Sequence, residues 1–256
     1  MPITPEPTPA PTPTETARAT KGLVTKLSAT FMLDAGTYAD AAAAGYEGLA
    51  FYFAGRGGVL GDVDAAEVAT ALYFFPESSV RAGWEQAATV EPPHQSAVRF
   101  AEACARWATA NLEADVVDFT RLAELVQRVI DAADVADPAT VLFAGWRELA
   151  EPSDPRSLVV HRANALRELR FARHLTAMRS TGLSPLEAFT VSSPYMADVF
   201  GWPQPLPELS DQQHADWAQA DEDTDIAFGL DLAVLDAAER AEFIALAKAT
   251  SAAARR

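Results

Sequence analysis

The residues best equipped for chemistry crowd into one segment. Between Pro155 and Ser180 lie six of the chain's 17 arginines (Arg156, Arg162, Arg167, Arg170, Arg173 and Arg179) and two of its four histidines, His161 and His174, with Glu168 as the one carboxylate. At 100° per residue a helix brings Arg167, Arg170 and His174 to one side, and His161 and Glu168 to another, close to Leu175 and Met178. Polar groups then emerge on faces that also carry apolar side chains, which implies partial burial with specific partners. A guanidinium withdrawn from water needs an anion, and two sources are open: carboxylates of this acidic chain, or a bound anionic ligand. With a ligand, Arg167, Arg170 and His174 grip it, and Glu168 or His161 is placed to move a proton. No metal ion is expected, because 13 residues of helix hold His161 and His174 about 20 Å apart.

The elements that position these groups read as helices. Asp64-Ala-Ala-Glu67 precedes the apolar run Val68 to Phe75 in the pattern of a capping box, and Ser184-Pro-Leu-Glu187 repeats it with proline at the first helical position. Periodic segments cover about 94–111, 114–133 and 155–180, and Val116, Phe119, Leu122, Ala123, Val126 and Ile130 form one stripe that should be buried. Gly55-Arg-Gly-Gly-Val-Leu-Gly61 lacks the glycine spacing of a dinucleotide loop and reads as a tight interhelical turn. The aromatic clusters Phe51-Tyr52-Phe53 and Tyr73-Phe74-Phe75 read first as core, with Tyr52, Arg56 and Tyr73 as candidate ligand contacts beside the arginine-rich helix.

Composition sets the outline. Six of the 17 prolines fall in the first 13 residues, so residues 1–22 read as a disordered Pro/Thr-rich tail. A helical domain over 23–200 follows. Beyond Gly201 the prolines of Trp202-Pro-Gln-Pro-Leu-Pro207 break the chain, and 201–256 read as a helix, a short apolar run at Ile226–Leu232 and a second helix, compatible with a degenerate winged-helix-like unit. The expected fold is all-α, a multi-helix bundle with that unit at its C-terminus. The lone Cys104 excludes a disulfide framework and multi-cysteine metal sites, and the sequence names no cofactor. No apolar run is long enough to span a bilayer, which points to a cytoplasmic protein without a membrane partner.

Three stretches carry a family likeness. Gly45-Tyr-Glu-Gly48 through Tyr52-Phe-Ala-Gly-Arg56, Val59-Leu-Gly61 and Ala66-Glu67-Val68 is the first; His161 through Leu166-Arg167-Glu168, Arg170 and His174 is the second. Gly182-Leu183, Leu186-Glu187-Ala188, Trp217 and Leu235-Asp-Ala-Ala-Glu-Arg240 complete it. Together they resemble an actinobacterial SalK/EvbL-like helical family with a helix-turn-helix-like domain, which implies a helical fold and a role in specialised metabolism. The likeness departs at Phe75, Leu169 and Ala172, where the family pattern has His, His and Asp, so it implies no intact metal or acid–base set.

Three functions compete. First stands a non-catalytic helical protein that binds a small anionic or apolar metabolite, or a partner chain or second copy of itself. The alternative is an enzyme with an Arg/His/Glu acid–base site. A DNA-binding regulator comes third, because the formal charge is -16 and no Lys or Arg occurs from Ser180 through Glu239 while twelve Asp and Glu do. Phosphate contacts need the opposite sign, so nucleic acid is not expected as a partner.

Overall fold

In the computed structural model, which describes residues 10–254, the regular structure is helical throughout: thirteen α-helices, short 3-10 turns and one π-helical turn at Gly22–Leu27. Extended backbone pairs only in an isolated bridge between Leu112 and Ala254 among the described residues. The all-α expectation holds. In chain order the helices are α1 Pro13–Lys21, α2 Ala35–Ala43, α3 Ala50–Gly57, α4 Ala65–Ala71, α5 Glu77–Ala88, α6 Pro93–Asn111 and α7 Phe119–Ala132. They continue as α8 Val141–Trp146, α9 Pro155–Thr181, α10 Pro185–Ser192, α11 Ala197–Phe200, α12 Asp211–Leu232 and α13 Ala237–Ala253.

Capping chemistry fixes where these helices begin. The Asp64 carboxylate accepts from the amides of Ala66 and Glu67, and Asp154 accepts from Arg156 and Ser157, filling donors that a helix start leaves open. Ser184 and Glu187 complete a reciprocal capping box with Pro185 at the first helical position, as the sequence implies. Gly182 stops α9 in the left-handed conformation, φ 77°.

Helix α9 is the central strut. It lies against α6, α7, α8 and α12, and Val159, Val160, Ala163, Leu166, Leu169 and Ala172 on successive faces are all fully buried. A helix packed against neighbours on several sides belongs in the interior, so arginines along it are carried inward with it. The glycines before it serve close approach. A Cβ on Gly55 would fall 2.4 Å from the Phe100 ring, and one on Gly58 would fall 2.1 Å from the Pro93 carbonyl oxygen, so α3 and the turn after it meet α6 nearly backbone to backbone. The Leu49–Phe53 stretch is accordingly helix, and the glycine run continues it into a 3-10 turn ending at Gly61.

Three expectations require correction. The tail predicted for 1–22 is helical from Pro13: Thr12 and Glu15 form a capping box, proline starts the helix, and Thr16, Ala17 and Thr20 are buried where α1 meets α12 and α13. Residues 1–9 lie outside the described residues. The apolar run at Ile226–Leu232, read as separate from the helix before it, is part of α12, so among the described residues the C-terminal segment has helices but no wing. Cations of α1 and α9 stand beside its acidic stretch and stabilise the helix through it. Finally, α7 starts at Phe119, leaving Val116 half-exposed outside the stripe that Phe119, Leu122, Ala123, Val126 and Ile130 bury.

Candidate functional site

Arg56 leaves α3 and meets Glu168 of α9 in a fork: Nε donates to Oε1 at 3.0 Å and Nη2 to Oε2 at 2.9 Å, while Nη1 donates to the Tyr52 hydroxyl at 3.0 Å. The guanidinium also lies over the rings of Tyr52, Phe75 and Phe171, 5.1 to 5.9 Å from their centres. A second guanidinium, Arg167, donates to the same Glu168 carboxylate through Nη2 and to Asn164 Oδ1 through Nε at 3.0 Å. Both partners of the Arg56–Glu168 pair keep 1% of their side-chain surface exposed, and Arg167 keeps 12%.

Electrostatics within the trio follow from this crowding. Burial alone would raise the Glu168 pKa, but the charges of Arg167 and Arg56 and the Arg56 hydrogen bonds hold it below its ordinary value. Arg56, although desolvated, is raised by Glu168. Arg167 is lowered by burial, with the Arg56 charge adding to the effect and Glu168 opposing it. A carboxylate saturated by two guanidiniums stays ionised near neutral pH and does not shuttle protons.

Arg170 and His174 face a different neighbour. Arg170 Nη2 donates to Asp225 Oδ1 at 2.7 Å and reaches Asp221 at 3.4 Å, both on α12, and Lys21 of α1 donates to Asp221 at 2.8 Å. His174 Nδ1 lies 2.9 Å from the Thr224 hydroxyl and its ring faces Phe74. His161 lies on yet another side, its ring 5.6 Å from Trp146, whose indole N–H donates to the His161 carbonyl. Burial lowers both histidines to about 4. Tyr73 sits under the Arg179 guanidinium and donates to the Leu183 carbonyl. Of the eight candidates, the structure therefore joins Tyr52, Arg56, Arg167 and Glu168, pairs Arg170 and His174 with α12, and leaves His161 and Tyr73 apart. Arg167, Arg170 and His174 do not grip one ligand together.

A cleft of about 380 Å³ opens where α4, the Pro138–Thr140 turn, α8 and α9 converge. Leu60, Val63, Pro138, Val141 and Leu175 wall it, and Glu67 and Arg179 are its two charged residues. None of the eight candidates lines it. Asp221, Asp225 and Lys21 also escaped the sequence reading, since pairing across some 50 to 200 residues leaves no local signal. Asn164 carried one, three residues before Arg167 on the same helix. Among the described residues no cluster of three or more His, Cys, Asp and Glu surrounds a point where a metal ion could sit.

The fold and site define an all-α bundle threaded by a buried, arginine-bearing central helix, in which the three-residue turn Gly182-Leu183-Ser184 joins α9 to α10. The model of a helix-turn-helix family matches residues 17–256, and the chain belongs to that family. No curated protein and no solved structure matches it. Membership overturns the exclusion of nucleic acid as a partner, because helix-turn-helix units are a vehicle of duplex recognition. The exclusion rested on net charge, which averages over the whole surface, whereas a duplex meets one face.

Proposed function

We propose that the protein binds a small, largely apolar metabolite without transforming it. The α4/α8/α9 cleft carries this reading: its volume falls in the range of small-molecule sites, its walls are apolar, and Glu67 and Arg179, the latter over the Tyr73 ring, line it with opposite charges. They stand available to a ligand's polar ends. Arg179 belongs to the last turn of α9, which Gly182 ends before α10 begins, so a bound molecule touches the turn between α9 and α10. The test is native mass spectrometry of the purified protein, followed by calorimetric titration with whatever small molecule it retains. Ala71→Trp, which fills the cleft, should abolish binding while the helical circular dichroism persists; retention unchanged in that variant would refute the cleft as the site.

A second reading, binding of duplex DNA, is favoured by the family match. Since no Lys or Arg occurs from Ser180 through Glu239, phosphate contacts would have to come from other parts of the surface. Gel retardation of genomic fragments that weakens steeply with salt supports this reading, and absence of retardation at low salt removes it. The finer kinship with SalK/EvbL-like actinobacterial proteins, a place in specialised metabolism and a cytoplasmic location belong to the proposal as well. No helix among the described residues is long and apolar enough to cross a membrane.

A further inference from the structure

The trio at the centre of the bundle has an unbalanced charge. Two guanidiniums, Arg56 and Arg167, share one carboxylate, Glu168, and among the described residues no second carboxylate pairs with either arginine. The other titratable groups around them are Tyr52 and Cys104, with Tyr38 facing Tyr52. Burial pushes the Cys104 thiol up, Arg167 only partly opposing it, and raises the Tyr38 phenol as well, so neither of these two supplies the missing negative charge near neutral pH. One positive charge is therefore left over in the interior, where an uncompensated ion is costly.

Donors are left over as well. Asn164 is fully buried, and while its Oδ1 accepts from Arg167, its Nδ2 has no partner. The Tyr38 hydroxyl is also buried without one. Buried polar atoms are nearly always satisfied, so an orphan amide N–H beside a surplus guanidinium marks the place of a missing acceptor. Arg167 retains some exposed surface, which gives that place an approach.

We propose that Arg167 and the Asn164 amide, backed by Arg56 and Glu168, hold one small monovalent anion. The site lies on the side of α9 facing α3 and shares no residue with the α4/α8/α9 cleft, so it stands or falls independently of the metabolite reading. A single negative charge completes the balance. A dianion would reverse the imbalance.

Chloride-35 NMR on the intact protein tests this directly. Chloride linewidth should rise in the presence of protein, formate should displace it, and sulfate at equal ionic strength should do so much less effectively. In Arg167→Met the excess linewidth should be lost, whereas Arg179→Met at the cleft should retain it. Thermal melts give a second reading: in buffer with a bulky organic counter-ion, Arg167→Met should melt at or above wild type, and added formate should raise only the wild type. No excess linewidth in the wild type, or linewidth unchanged in Arg167→Met, overturns the proposal. If Arg167→Met does not fold, the wild-type competition decides, and equal displacement by sulfate and formate overturns it.

Discussion

Arg170 of α9 and Asp225 of α12 are joined by a 2.7 Å hydrogen bond in which both side chains are more than nine-tenths buried. An arginine in the middle of an apolar helix is thus answered from within the chain. The carboxylate that answers it lies 55 residues away, in a stretch whose acidity would otherwise argue against helix.

Arg170→Leu should leave Asp225 with only the Arg18 guanidinium, 3.9 Å away, and cost on the order of 3 kcal/mol of folding stability without any ligand present. Chemical denaturation of wild type, Arg170→Leu and Arg170→Leu with Asp225→Leu measures it. The double variant should recover most of the loss. A single variant as stable as wild type would show that the bridge contributes nothing.

Glu168→Gln should be among the most damaging substitutions, since it leaves two buried guanidiniums without a carboxylate, a loss of about 3–5 kcal/mol. The native carboxyl pKa is depressed, so its contribution is fully present above the unfolded value near 4 and is lost as pH falls through the lower folded one. Acid unfolding curves of the two proteins should therefore converge at low pH.

His161 and His174 are held neutral, with folded values of about 4 against an ordinary 6.5. Below about pH 6.5 the unfolded chain takes up protons that the folded chain refuses, so stability should fall as pH drops from 6.5 toward 4, by on the order of 3 kcal/mol for each histidine. Urea titrations at successive pH values, repeated on His161→Gln and His174→Gln, resolve the two contributions. A flat stability profile over that window would contradict the burial of both rings.

Gly58→Ala should destabilise the protein by about 1–3 kcal/mol, because the new methyl meets the Pro93 carbonyl and rigid backbone cannot yield. Gly22→Ala, where nothing lies within 4 Å and φ is -60°, should instead stabilise slightly, by roughly 0.5–1 kcal/mol. Melting temperatures of the two variants should move in opposite directions.

What the sequence made legible was local. The capping residues Asp64 and Ser184, the stripe from Phe119 to Ile130 and the span of α9 all follow from spacing, and the structure places them close to expectation, whereas the Asp154 cap of α9 was not read. Partner choice was not legible, because helical angle puts Arg167, Arg170 and His174 together while the helices on either side of α9 draw them apart. Arg167 turns toward α3 and Arg170 toward α12. Proline density hid α1 for a similar reason: the same residue that breaks a helix interior also begins a helix, and only the Thr12–Glu15 box distinguishes the two.

The docking of α1 fixes an order on synthesis. Lys21 meets Asp221, and Arg18 meets Glu222, across 200 and 204 residues of chain. At ordinary ribosomal rates about 10 to 40 s pass between the emergence of α1 and that of α12. Throughout that interval Ala17, Leu23 and Val24, buried in the finished protein, have no α12 or α13 to cover them. Helix α1 is therefore seated only after α12 and α13 have been made, and until they arrive the nascent chain carries its apolar face uncovered.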